Sequence, residues 1–283
     1  MSLSPVQTAP AATPAEALDL LAGRPFLALT GAGMSTDSGI PDYRGPNTPA
    51  RRPMTYSEFV SGPQAQQRYW ARSHLGWSRM KRAAPNPGHR ALAALEAAGH
   101  QRLLITQNVD GLHEAAGSRR LVALHGRIAD VICLSCRRTS SRATLATRMV
   151  SANPGYAEAH ATVESRPDGD VELDDTADFA VPDCERCGGV LKPDVVFFGE
   201  NVPPARVARC YDAVDALTPD DAFLVVGSSL TVMSGFRFVR RATKAGVPVV
   251  IVNRGTTRGD ELATAKVEAG CSEFLTALAA SRC

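Results

Sequence analysis

At 283 residues, 44% hydrophobic and 21% charged, the chain has room for one large α/β domain or a large domain carrying a smaller one. A net charge of +2 with no long basic run excludes a whole-molecule field that would draw nucleic acid, and no stretch approaches the roughly 18 apolar residues of a membrane span. The first 14 residues, MSLSPVQTAPAATP, contain no Lys or Arg, which argues against a secretory or transit leader and for a disordered tail, with the cytoplasm as the expected compartment.

In chain order, FLALT (26–30) reads as a strand buried on both faces, followed at once by glycines. Residues 51–82 carry both tryptophans, Trp70 and Trp77, on an amphipathic helical pattern. HRALAALEAAG (89–99) reads as a helix closing on glycine, and RLLIT (102–106) as the next strand. Residues 129–190 hold two cysteine pairs and an acidic, loop-like middle with no helical pattern. VVFF (195–198), FLVVG (223–227) and VPVVIV (247–252) read as further parallel strands, with helices predicted at 205–217 and over SEFLTALAA near the end. Strands alternating with helices imply an α/β fold, a doubly wound parallel sheet over 15–50, 85–128 and 192–283. The helical insertion 51–84 and the cysteine-bearing insertion 129–191 form a small lobe beside it, and 1–14 is the tail.

Cys133 and Cys136, then Cys184 and Cys187, each put two thiols on a tight knuckle. Four thiolates in a tetrahedron make a closed structural zinc site with no open position for chemistry. The 47 residues between the pairs exceed an ordinary zinc ribbon, so the extra length is expected to loop out, as a solvated loop or a partner-recruiting surface over 158–183. A redox role needs a single C-x-x-C at a helix start, which is not the pattern here. Cys210, Cys271 and Cys283 read as unpaired thiols.

The chemistry gathers at the ends of the predicted strands. Gly31-Ala32-Gly33 follows FLALT and lets backbone N–H groups approach a pyrophosphate, although Thr36 stands where the third glycine of a dinucleotide fingerprint belongs. Pro41 pushes Ile40 out of helical geometry, so SGIPDYR is expected to arch over the ligand and bring Asp42, Tyr43 and Arg44 towards it. TQNVDGLH follows RLLIT, where Gln107, Asn108 and Asp110 suit ribose hydroxyls and a carboxamide. His125 follows LVAL, a position that serves structure as readily as catalysis. GSSL (227–230) and VNRG (252–255) suit phosphate and adenosine contacts. No acidic residue ends a second strand about twenty residues after the glycines, which disfavours hydride transfer.

GAGMSTDSGIPDYR, TQNVDGLH, LHG, the paired C-x-x-C, LKPDVVFFGE, GSSL and VNRG, in this order, resemble the sirtuins, NAD-dependent protein deacylases, from about residue 15 to the C-terminus. QQRYWAR, AGSRRL, CGGVLKPDVVFFGE and TTRGDELA resemble the class II branch, whose animal mitochondrial member is associated with ADP-ribosyl transfer and removal of lipoyl-type acyl groups. The resemblance implies a Rossmann-like domain with a small zinc-and-helix lobe, one structural zinc, and NAD with an acyl-lysine in the cleft between. It places Gly31, Ala32, Gly33 and Ser35 on phosphate and ribose. Asp42, Asn108 and Asp110 surround the nicotinamide beside Gln107 and Val109, with Tyr43 gating and Arg44 near the phosphates. Gly227, Ser228, Ser229, Asn253, Arg254, Gly255 and Cys271 hold the adenosine end. His125 is the implied general base, with Asn108 as its catalytic companion.

An acylated protein or peptide lysine is the implied partner, lying as a strand between 196–201 and 230–233, with Val196, Phe198 and Gly199 at its stem. Neither nucleic acid nor membrane is expected, and the oligomeric state stays open. The run TVMSG (231–235) departs from the Pro-containing run usual in strong deacetylases, which opens the acyl preference. Mono-ADP-ribosyl transfer, lipoamidase-type deacylation and a non-catalytic NAD-sensing module are the competing readings.

Overall fold

The computed structural model describes residues 11–43, 53–160 and 176–282. The chain enters through α1 (Pro14–Leu21), started by a capping box in which Thr13 and Glu16 satisfy each other's backbone N–H. Ala11 and Ala12, assigned above to the tail, already dock on Lys266. β1 (Phe26–Thr30) follows, buried at every residue. The small lobe begins with α2 (Tyr56–Phe59) and α3 (Pro63–Arg82). The main domain resumes with α4 (Pro87–Ala97), β2 (Gln101–Thr106), the short α5 (Leu112–Ala115) and β3 (Leu121–Ala123).

β4 (Gly126–Cys133), β5 (Thr139–Ser141), α6 (Arg142–Ala152), α7 (Tyr156–Ala159) and β6 (Leu191–Val195) complete the small lobe. The chain then returns through α8 (Pro204–Asp215), β7 (Ala222–Val226), α9 (Met233–Lys244), β8 (Val249–Val252), β9 (Ala265–Val267) and α10 (Cys271–Ala280). Among the described residues no helix is long and apolar enough to cross a membrane.

The main sheet is parallel throughout, in the order β3-β2-β1-β7-β8-β9. Alternate residues serve opposite faces, as the two-residue strand period requires. Phe26, Ala28, Leu224 and Val250 meet α1, α4 and α10 on one side. Leu27, Leu29, Phe223 and Ile251 meet α8 and α9 on the other. The chain reverses its direction of winding at β1, which lies between β2 and β7, and such a switch point opens a crevice at the carboxyl ends of the strands.

Three expectations need correcting. VVFF is not a strand of this sheet. Its Val195 closes β6, which pairs antiparallel with β4 in a separate three-stranded sheet ordered β5-β4-β6, and Val196 onwards leaves as an extended loop. That sheet begins at Gly126 and ends at Val195, wider than the 129–191 expected of the insertion. The insertion also holds a full helix, α6, capped by the Ser141 hydroxyl on the Ala143 N–H. The acidic stretch of the 158–183 insert lies largely outside the described residues.

The small lobe packs Phe59, Tyr69, Trp70 and Phe197 against the β4–β6 sheet. Trp70 is fully buried, and its indole N–H donates to the Leu191 carbonyl at 2.9 Å. The equally buried Arg142 lies against both indole faces, 5.1 Å from Trp70 and 5.0 Å from Trp77. Ring quadrupoles attract the cation there, while burial draws its pKa down to about 10, so it stays charged.

Candidate active site

A cleft of about 560 Å³ runs between the lobes along the carboxyl ends of the main strands, a volume in the range of small-ligand sites. Gly31, Ala32, Gly33 and Ser35 line it after β1, and Gln107, Asn108, Val109 and Asp110 after β2. His125 follows β3; Gly227, Ser228 and Ser229 follow β7; Asn253, Arg254 and Gly255 follow β8. Asp42 and Tyr43 close one side, and Val196, Phe198 and Gly199 another.

Of the expected residues, Arg44 lies outside the described residues. Cys271 is not in the wall: it is buried behind Gly227 at the start of α10, where its sulfur would touch a Cβ on that glycine and burial pushes the thiol up to about 12.

The glycines serve packing as well as lining the cleft. Gly31 donates its N–H to the Val226 carbonyl (3.1 Å), and Gly33 to that of Gly227 (2.9 Å). Those two amides are therefore spent on β7 and not left for a phosphate. Gly227 itself has φ +63°, and a side chain there would strike the Met34 backbone. Three glycines thus let two chain crossings close backbone to backbone at the switch point. Gly39, with φ +79°, ends the 3₁₀ turn Ala32–Ser38 and releases the loop before Pro41.

The centre of the cleft is a connected polar network. Asn108 donates both amide hydrogens to the protein, to the Gly31 carbonyl (2.9 Å) and Ser35 Oγ (3.1 Å). Only its carbonyl oxygen remains to offer the cleft. Ser35 donates to Asp110 Oδ2 (2.7 Å), and the Leu112 N–H to Asp110 Oδ1 (2.9 Å). Burial raises the Asp110 pKa against the lowering effect of those donors. Ser228 turns inward to donate to Gln107 Oε1 at 2.6 Å, so it supports the wall.

His125 lies against the main-chain carbonyl of Gln107, 2.9 Å from Nδ1. A carbonyl only accepts, so Nδ1 carries the proton and Nε2 is the basic atom. Nε2 receives the Ser234 hydroxyl at 2.7 Å. Burial holds the imidazole pKa below its ordinary value, with the Gln107 bond opposing and Arg206 assisting, so the ring is a free base at neutral pH. Gly126, directly after it, has φ +85°, and a Cβ there would run into the Asp194 carbonyl, which fixes the corner between the lobes. The Val196 N–H donates to the His125 carbonyl (2.8 Å), which ties the 196–201 loop to the same corner.

A buried polar chain underlies this floor. His113 Nε2–H donates to Thr30 Oγ1 (2.9 Å), Thr30 to Thr106 Oγ1 (3.0 Å), and the Asn108 N–H reaches the same Thr106 oxygen (3.1 Å). The His89 and His113 rings lie 4.6 Å apart, centre to centre, both buried. Burial pushes His89 from 6.5 down to about 4, and burial with its neighbour holds His113 well below 6.5. Between those values the unfolded chain binds more protons than the folded one, so stability present at neutral pH is lost as pH falls. His89 alone accounts for about 3 kcal/mol. Urea unfolding followed from about pH 7 to about pH 4 is expected to show that loss, with a shallower slope in His89→Gln; equal slopes would remove His89 as a source.

Within the small lobe, Cys133, Cys136, Cys184 and Cys187 bring their sulfurs within 4.8 Å of one another. Cross-pair separations are 3.6 Å (Cys133 to Cys187) and 3.8 Å (Cys136 to Cys184). A zinc ion with four bonds of about 2.3 Å requires sulfurs roughly 3.8 Å apart, so the four thiols fit the metal as they stand.

A family model described as the Sir2 family matches residues 31–234. The chain belongs to the Sir2 family. A relative from Mycobacterium avium (strain 104), described as NAD-dependent protein deacetylase 1, is 55% identical over 267 residues, covering 93% of this chain and 94% of its own length. One from Streptomyces coelicolor with the same description is 54% identical, covering 92% and 87%. Among solved structures, a Sir2 complex with a p53 peptide and NAD+ is 30% identical with a TM-score of 0.74, covering 94% of this chain and 97% of that one. The Rossmann-like sheet with an inserted four-cysteine lobe is therefore the Sir2 architecture in this chain.

The sequence did not single out Arg237 among the cleft residues of this Sir2-family chain, and it gave Ile40, Glu200 and Ser234 only as parts of longer segments. Glu200 could have been found in the run FFGE. Its carboxylate takes both the Phe197 N–H (2.9 Å) and the buried Lys192 ammonium (2.9 Å), which shapes the 196–201 loop. Ser234 left no signal, because its partner is 109 positions away.

Proposed function

We propose that this Sir2-family chain is an NAD-dependent protein-lysine deacylase that releases nicotinamide and O-acyl-ADP-ribose. The observation that carries the reading is His125, a buried imidazole with a defined proton on Nδ1 and a basic Nε2 on the cleft floor. NAD, when bound, supplies an electrophilic sugar carbon, a nicotinamide leaving group and a hydroxyl to receive the acyl group.

This chain's residues supply the rest. Asn108, Ser35 and Asp110 form a pre-set polar wall that needs no reorganisation when the ligand arrives. Gly227, Ser229 and Asn253 to Gly255 form the opposite end of the cleft, suited to the adenosine half. The acylated lysine of a peptide enters between the 196–201 loop and residues 230–233, past Phe198, which the Tyr43 ring meets edge-on at 6.3 Å. His125 Nε2 takes a proton from the sugar hydroxyl that captures the acyl group. Zinc, held by the four cysteines, supplies only structure. Thiols kept as a metal set fit a reducing compartment, and the proposal extends to the cytoplasm. The class II assignment belongs to the same proposal and rests on the motifs alone.

The walls beside the lysine channel, Ile40, Val109, Val195, Val196 and Phe197, are apolar. Incubating the protein with NAD and a panel of acetyl, lipoyl, long-chain and succinyl peptides is expected to liberate nicotinamide with uncharged acyl groups. Labelled NAD should leave its sugar on the small acylated product. Label retained on protein with no acylated sugar would replace deacylation with ADP-ribosyl transfer.

A further inference from the structure

We propose that Ser234 is a positioning residue for the base: its hydroxyl holds the His125 ring in the orientation that keeps Nε2 unprotonated at the cleft. The inference rests on the reading of His125 given above, and its geometry stands apart from it. Ser234 is buried in the first turn of α9, with its hydroxyl on His125 Nε2 at 2.7 Å. The Gln107 carbonyl holds the opposite nitrogen at 2.9 Å. With a fixed acceptor on one side and a hydroxyl donor on the other, one tautomer and one ring orientation satisfy both. A flipped ring would set carbon atoms against both partners.

The chain around Ser234 is shaped to deliver it. Leu230 adopts a left-handed backbone at φ +54°, uncommon for a residue with a branched side chain. That turn, tied by the Leu230 N–H to Ser228 Oγ (3.3 Å), swings residues 231–234 back to the cleft. Gly235 then lies so close to Gln107 that a Cβ would stand 2.6 Å from its amide nitrogen. One turn of helix thus presses on Gln107, which accepts from Nδ1, and supplies the donor to Nε2.

Ser234 stands where a substrate hydroxyl must donate if Nε2 is to act as base. It satisfies the lone pair in the free protein and yields it when the sugar hydroxyl arrives. One hydrogen bond replaces another, so the exchange costs little. A buried nitrogen without this partner would draw in water or rotate away.

The test uses Ser234→Ala and Ser234→Thr in the whole 283-residue chain. Long-range ¹H–¹⁵N spectra of the free protein, with His125→Ala to assign the ring, are expected to show a pure Nδ1–H tautomer in the wild type and Ser234→Thr, and a mixed one in Ser234→Ala. With NAD and an acetylated peptide, Ser234→Ala is expected to lower kcat roughly tenfold, the cost of a slightly misplaced group. KM for NAD should stay within about twofold, and Ser234→Thr should restore kcat. An unchanged tautomer in Ser234→Ala, or a kcat within about twofold of wild type, overturns the proposal. A wild-type protein inactive on every acylated peptide overturns the deacylase reading instead, and the spectra still decide whether Ser234 holds the ring.

Discussion

Stripping zinc from the four cysteines is expected to unfold the small lobe while leaving the main sheet intact. The apparent binding energy of a structural zinc set, about 10–16 kcal/mol, matches or exceeds the 5–15 kcal/mol that holds a typical domain together. Cys133 closes β4, and its N–H meets the Arg138 carbonyl, while the Cys184 N–H meets that of Gly189. Cys133 and Cys184 are buried members of the lobe core, so losing the metal leaves four crowded thiols inside that core and disturbs it directly. Unfolding should spread through β4 and β6 to the 196–201 loop, which hangs from the His125 carbonyl. Zinc analysis, circular dichroism and limited proteolysis after chelation check this. The expected result is one equivalent of metal lost, cleavage confined to the small lobe (56–82 and 126–195) and its flanks, and no turnover. Cys184→Ser should behave alike, whereas Cys210→Ser should retain the metal. A metal-free lobe that resists protease as before would show that its core suffices.

The fold was legible where a residue pattern reports a local cause. FLALT and VPVVIV are short apolar runs because the strands they contain are covered by helices on both faces. The cysteine pairs were legible because metal geometry demands that spacing. VVFF misled for an equally physical reason: burial in a cleft wall and in the lobe core selects the same apolar residues as burial in a sheet. Phe197 packs on Phe59 and Tyr69, whereas Phe198 faces Tyr43 across the channel. β3 and β9 are three residues long, and β9 carries Lys266, too little for a periodicity to show. α6 was missed because RATLATRMVSA buries only Arg142, Leu145 and Met149, so its inner stripe begins with a charge.

The site divides in the same way. Asn108 and Asp110 stood out beside a strand end, and the order of motifs named the family. What no motif carried was the state of the base, which depends on a main-chain carbonyl and a distant serine meeting one ring.

That ring carries the second large effect. His125→Ala is expected to lower turnover by roughly 10²–10⁴-fold, the usual contribution of a general base, while NAD binding changes little. The asymmetry follows from the geometry: Ser35, Asn108 and Asp110 hold one another without touching the imidazole, so the nucleotide wall survives its removal. Because burial holds the His125 pKa below its ordinary value, the wild-type rate should begin to fall at a lower pH than an ordinary histidine would give. It should fall only as Nε2 protonates, since a protonated nitrogen can no longer accept from a sugar hydroxyl. Turnover against pH, beside calorimetric NAD binding to both proteins, separates the two roles. Equal turnover in His125→Ala would remove the base from the reaction. A matching loss of NAD affinity would make the ring part of the nucleotide wall, and the proton would have to leave by way of another group in the cleft.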